Sequence, residues 1–196
     1  MSQEAWKAKP GATDRERGKV VLSRGAQRAL LRDTWGRRMI EACGLLRGEI
    51  DVEGNWCIVA VHPLPNVAES PVYFEFAPEG VLQLELAYPG QIIGVYHSHP
   101  KGPYGASGTD RETMRRVNKE QRIPWVWLIL CGPFTESLPL AAAAAGDLAA
   151  EATCARWLSE RLLAYYHDPR EGLRQVVVVL EPGSQPAEAE RSGQAE

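Results

Sequence analysis

Apolar positions change period several times along the chain, and each change marks an element. "KVVLS" is a short apolar strand, and Ser23 at its end is a candidate N-cap for a helix. Leu30, Leu31, Trp35 and Ile40 recur near helical spacing, which predicts that helix to about Arg38. "EACGLLRGEI" and "WCIVAVHPLPN" flank the turn "DVEGN", the pattern of a hairpin. "SPVYFEF" is a further short strand candidate. "PEGVLQLELAY" predicts a helix opening at Pro78, because proline suits a first helical turn. "QIIGVYHSHP" reads as a buried strand ended by Pro100. A Gly-rich loop then leads to Ser107, a helix in "GTDRETMRRVNKEQ" and a strand in "PWVWLILCG". Leu148, Ala152, Ala155, Leu158, Leu162 and Tyr165 recur at three and four residues, which predicts one amphipathic helix running to about residue 166. "RQVVVVLEP" closes the pattern as a final strand. This order predicts an α/β sandwich, a mixed β-sheet flanked by α-helices.

Polarity sets the expected boundaries. Residues 1–18 are polar and Pro/Gly-punctuated, a flexible arm; 19–181 form one domain, with 138–181 as a helix–strand extension. Residues 182–196 are rich in Gly, Pro, Ser, Gln, Ala and Glu, a composition expected to be disordered. The net charge of −3 gives no broad electrostatic footprint for nucleic acid. No apolar run approaches the roughly 20 residues of a membrane span. The N-terminus lacks the apolar core of a signal segment, so a cytoplasmic location is expected. Cys43, Cys57, Cys131 and Cys154 form no CxxC pair, which argues for buried free thiols over a zinc knuckle or disulfide framework.

The chemistry concentrates in "HSHPKGPYGASGTD". Side chains at i and i+2 of a strand share a side, so His97 and His99 project together while Ser98 points away. Gly102, Pro103 and Gly105 let the chain turn back, and Asp110 can arrive as a third ligand from the next helix. Two histidines and a carboxylate leave one tetrahedral position for water, the arrangement of a catalytic zinc site. Ser107-x-x-Asp110 equally resembles a helix-capping box, so a metal site and a plain capped helix both stay open. Hydrolysis also needs a general base. Glu41, ahead of the apolar run "ACGLLRG", is a candidate, with Glu75 and Glu85 as rivals. A Cys43/His97 thiol protease is a further alternative, but it leaves His99, Ser107 and Asp110 without a role.

Taken together, "EACGLLRG" and "HSHPKGPYGASGTD" resemble the JAMM (MPN-plus, JAB1-type) metalloprotease signature. That signature has an upstream Glu, then HxH, then a Ser with an Asp three residues on. The resemblance runs from about Val20 to Cys131. It implies a cytidine-deaminase-like α/β sandwich and one catalytic Zn2+ held by His97, His99 and Asp110. It also implies Glu41 as general base and Ser107 as hydrogen-bond donor to the oxyanion. The HxE and PCxxC signature of the deaminases themselves is absent.

The loop from Lys101 to Ala106 is short, like that of compact prokaryotic members. These resemble deconjugases that cut after the C-terminal Gly-Gly of small ubiquitin-like or sulfur-carrier proteins. A cell-wall or phage-associated peptidase and a non-catalytic scaffold are the alternatives. The segment after residue 138 lies beyond the resemblance and is open to three uses: packing on the core, a homodimer surface, or a wall of the substrate groove.

Overall fold

A computed structural model describes residues 18–182, so nearly all of the expected arm and tail lies outside the described residues. The elements are β1 (Val20–Leu22), α1 (Arg24–Gly36), β2 (Cys43–Ile50), β3 (Trp56–Leu64), α2 (Pro78–Ala87), β4 (Ile92–His99) and α3 (Gly108–Met114). A π-helical turn, Arg115–Glu120, continues α3. Then come β5 (Val126–Cys131), α4 (Leu140–Ala144), α5 (Leu148–Arg161), β6 (Leu162–Asp168), β7 (Gly172–Val176) and β8 (Val178–Leu180).

All strands belong to one mixed sheet, in the order β7-β6-β5-β4-β2-β3-β1-β8. β2 runs antiparallel to both β3 and β4, while β4 and β5 are parallel. A parallel pair needs a crossover, and here the crossover is α3 with its π turn. That connection sets the N-terminus of α3 beside the carboxyl end of β4. The two outermost strands in this order, β7 and β8, are separated in sequence by Val177 alone. The sheet therefore curls until its ends meet, and Val177 accepts a hydrogen bond from the Val20 amide at 2.8 Å. Trp56 of β3 and Tyr166 of β6 pack inside the curl, with ring centroids 5.1 Å apart. Among the described residues the two end strands, β7 and β8, pair only with β6 and β1, so the sheet curls without closing into a barrel.

Alternation along the strands builds two cores. Val126, Leu128 and Leu130 of β5 join α1, α4 and α5 in the larger one, with Trp35, Phe134 and Trp157 as its aromatic centre. Trp127, Ile129 and Cys131 face the other way, with Leu45, Val95, Ala106, Met114 and Tyr165. β5 is buried along its whole length because both faces are covered, as befits a strand in a parallel pair. Asp33 of α1 accepts a hydrogen bond from the Tyr96 hydroxyl at 2.6 Å, and Arg37 donates to the Cys43 and Leu64 carbonyls. These bonds hold α1 against the sheet end from which Glu41 emerges.

The hairpin, the Ser23 cap, and the helix starts at Pro78 and Ser107 are where the sequence puts them. Four elements differ. The first helix stops at Gly36 instead of Arg38. "SPVYFEF" is no strand; it is an irregular strap held by side-chain bonds. The expected long helix breaks at Gly146 (φ +91°), restarts on an Asp147 cap and ends at Arg161. "LLAYYHD" is instead β6, whose alternate side chains reach the two cores. The last strand is two, because Val177 is the step between the sheet's ends. Of the cysteines, Cys43, Cys131 and Cys154 are buried free thiols and Cys57 is partly exposed. No helix of the described residues is long and apolar enough to cross a membrane.

Candidate active site

His97 and His99 end β4, and both are almost fully buried. Their Nε2 atoms converge to 3.1 Å. Asp110 arrives from the first turn of α3, its Oδ1 3.2 Å from His97 Nε2 and its Oδ2 3.3 Å from His99 Nε2. The helix start is also a full capping box: the Asp110 amide donates to Ser107 Oγ at 3.2 Å and the Ser107 amide to Asp110 Oδ2 at 2.7 Å. The cap and the convergence of donors are thus one arrangement. The box orients the carboxylate that faces the histidines.

The donor set fits a small tetrahedral cation. Bonds of about 2.0–2.1 Å at tetrahedral angles put ligand atoms about 3.3–3.4 Å apart, close to the separations found here. His99 Nδ1 lies 3.1 Å from the Pro103 carbonyl, which only accepts, so Nδ1 carries the hydrogen and Nε2 offers its lone pair in the neutral ring. Charge distribution points the same way. Burial disfavours charge on His97 and wins there, although Asp110 opposes it. Burial also opposes charge on His99, but bonds from Asp110, Cys131 and Pro103 outweigh it and push the ring up to about 10. Asp110 is held well below the usual carboxylate range, because both histidines overcome its burial. Among the described residues, His97, His99 and Asp110 form the group able to hold a metal ion.

Glu41 sits just before β2, buried, with its Oε1 3.8 Å from His99 Nε2. Burial, with Asp110 nearby, raises its carboxyl to about 7 despite the opposing pull of His99. Such a carboxyl exchanges protons near neutrality, which general acid–base work requires. Its rivals drop out: Glu75 and Glu85 are exposed, whereas the histidines are buried. Cys43 is no nucleophile, since burial pushes its thiol up to about 12.

Two positioning residues emerge only from the structure. The buried Asn66 donates to the Glu41 carbonyl at 3.1 Å and the Tyr73 carbonyl at 2.9 Å, and accepts from the Ala68 and Glu75 amides at 3.1 and 3.2 Å. It shapes the strap 66–76, whose Phe74 stacks on His97 at 4.6 Å. Ser98, between the ligand histidines, accepts from the Ala42 amide at 2.9 Å and donates its own amide to the Ala42 carbonyl at 2.8 Å. An asparagine opening a Pro- and Ser-containing loop is the sequence signal for the first; for the second there is none beyond strand polarity.

A curled mixed sheet with an HxH strand end, a capped Asp and a buried Glu defines a class of JAB-type domains. The sequence profile of prokaryotic homologs of the JAB domain matches residues 23–141. This chain belongs to that family. It is 38% identical over 76 residues to the desampylase of Haloferax volcanii, covering 37% of this chain and 52% of the relative. It is 36% identical over 94 residues to the desampylase of Pyrococcus furiosus, covering 46% and 59%. The matched stretches thus span little more than half the length of these curated relatives. The solution structure of protein DSY2949 from Desulfitobacterium hafniense shares the fold, with TM-score 0.56 and 20% identity over 84% of this chain and 94% of that one.

Proposed function

We propose that this chain is a zinc-dependent peptidase or isopeptidase that cuts after the C-terminal Gly-Gly of a small ubiquitin-like or sulfur-carrier protein. The observation that carries this reading is the buried meeting of His97, His99 and Asp110 with Glu41 at its edge. His97, His99 and Asp110 would hold the zinc, which would supply Lewis acidity and bring a water's pKa from 15.7 toward ~7. Glu41 accepts the proton of the attacking water and returns one to the leaving amine. Ser107 donates its hydroxyl to the oxyanion that develops on the scissile carbonyl. Asp110 and the Pro103 carbonyl keep the two imidazoles oriented.

Two observations support a protein tail as substrate. The strap beside Glu41 exposes Val67, Val72 and Tyr73, and Met39, two residues before Glu41, is exposed as well, apolar side chains available to an extended chain. The curated relatives are named desampylases. The test is incubation of the zinc-loaded chain with Gly-Gly-tailed small proteins extended by one residue, a peptide or a lysine-linked partner, read by mass spectrometry. Cleavage after the second glycine is expected. Intact substrates throughout would overturn the reading in favour of another peptide class or a non-catalytic scaffold.

A further inference from the structure

The family profile ends at residue 141, yet the segment beyond it reaches back to the pocket. The loop 100–106 joins the histidine pair to Ser107 and has no regular secondary structure. Within it, Gly105 adopts φ +121°, a conformation that disfavours any side chain. A Cβ built there would lie 3.3 Å from the Tyr165 hydroxyl. That hydroxyl therefore closes off the space beside Gly105, and Tyr165 packs in one buried cluster with Ala106. The Ala106 carbonyl in turn accepts from Arg111 Nε at 3.1 Å. The peptide next to Ser107 is therefore gripped on one side by β6 and on the other by α3. One residue earlier than Gly105, Tyr104 donates its hydroxyl to the Glu160 carbonyl in the last turn of α5. Tyr104 is 63% exposed, so this bond, not burial, fixes its tip. Tyr165 is buried beside Ala106, Met114 and Cys131.

We propose that the C-terminal segment is a working part of the site, with Tyr165 and Tyr104 as positioning residues that tether the loop carrying Ser107 to β6 and α5. Neither touches substrate. Each removes freedom from a loop whose end must present a hydroxyl and a carboxylate at once. The tether rests on the hydrolase reading only for its kinetic consequence; its mechanical consequence is measured without substrate.

The experiment uses the full chain with Tyr165→Phe and Tyr104→Phe, singly and together. Amide hydrogen exchange over residues 100–107 is followed with zinc loaded and with zinc removed, and kcat, KM and zinc stoichiometry are measured. Loss of the Tyr104 bond, or of the Tyr165 hydroxyl that closes the space beside Gly105, at about 1 kcal/mol each, predicts roughly five- to tenfold faster loop exchange per tether, with β4 and β5 unchanged. The double variant should lose roughly tenfold or more in kcat with KM within about twofold and zinc still bound. Unchanged loop exchange in the double variant overturns the tether, as does acceleration spread evenly over the sheet. If Tyr165→Phe fails to fold, the exposed Tyr104→Phe decides alone, by the same loop-specific exchange. If the wild-type chain cleaves nothing, the hydrolase reading falls while loop exchange still decides the tether.

Discussion

The two halves of the pocket are held in different ways. His97, His99 and Asp110 come from one strand–loop–helix unit and brace one another, each donor atom within 3.3 Å of the next. Glu41 has no such support: its carboxylate is 3.8 Å from the nearest of these donors. Its place is set through its main chain, by Asn66 on its carbonyl and by the Ser70 carbonyl, which accepts from its amide at 2.8 Å. A self-braced half tolerates movement around it, and a suspended half does not. Metal binding and turnover should therefore be separable by mutation.

The sharpest separation is Asp110→Ala against Glu41→Gln. Asp110→Ala removes a ligand and the reciprocal cap together, so zinc stoichiometry and hydrolysis should both be lost, with about 1 kcal/mol of helix stability. Glu41→Gln should keep zinc while turnover falls by ~10²–10⁴ or more, the usual worth of a general base. Metal analysis beside single-turnover assays distinguishes them. The metal-free chains add a second readout. The Glu41 carboxyl is raised from 4.5 to about 7, so the folded state holds this proton more tightly than the unfolded state. Its contribution is fully present below about 4.5 and is lost as pH rises through about 7. At pH 8 the wild type thus carries a penalty on the order of 3 kcal/mol that Glu41→Gln lacks. Melting in chelator should show the variant more stable at pH 8, with the gap closing toward pH 4.5. A gap that widens in acid would contradict the burial assigned to Glu41.

Asn66→Ala attacks the suspended half from outside. It strips partners from the Glu41 and Tyr73 carbonyls and from the Ala68 and Glu75 amides. Some of these groups regain water as the strap loosens, so the expected cost is about 2–3 kcal/mol, read by denaturant titration. Turnover should fall about tenfold with zinc affinity nearly unchanged. Loss of zinc instead would mean that Phe74, which the strap presses onto His97, supports the metal half as well.

The same contrast separates what is legible in the sequence from what is not. Strand period places His97 and His99 together without any fold in hand, and the unbroken apolar run of β5 is readable locally as a strand, whereas its division between two cores appears only in the fold. Glu41 is a candidate by its place before an apolar run; the family resemblance singles it out. The strap reads wrongly as a strand because "SPVYFEF" has strand composition, and only tertiary bonds from Asn66 show that no partner strand receives it. The helix expected through Tyr165 fails because β6 is covered on both faces, with Leu162, Ala164 and Tyr166 in one core and Leu163 and Tyr165 at the other, so three- and four-residue spacing keeps meeting apolar residues past the helix end. Pairing of β6 with β5 settles the matter, and that contact is not local.

The smallest expected effect tests whether the halves are truly independent. Ser98 is fully buried between the two histidines, yet its hydroxyl serves Ala42, the residue after Glu41. Ser98→Ala removes the hydroxyl and leaves the Ser98 amide bonded to the Ala42 carbonyl, so register survives. The Ala42 amide, itself buried, loses its acceptor, a cost of about 1–2 kcal/mol. The end of the segment that carries Glu41 gains freedom, while the histidine backbone stays paired to β2 and β5. Turnover should drop by roughly threefold to fivefold, with zinc affinity and KM unmoved. Competition with a chromogenic chelator measures the affinity. If zinc weakens in step with turnover, Ser98 is a shared support, and the pocket is one braced unit instead of two.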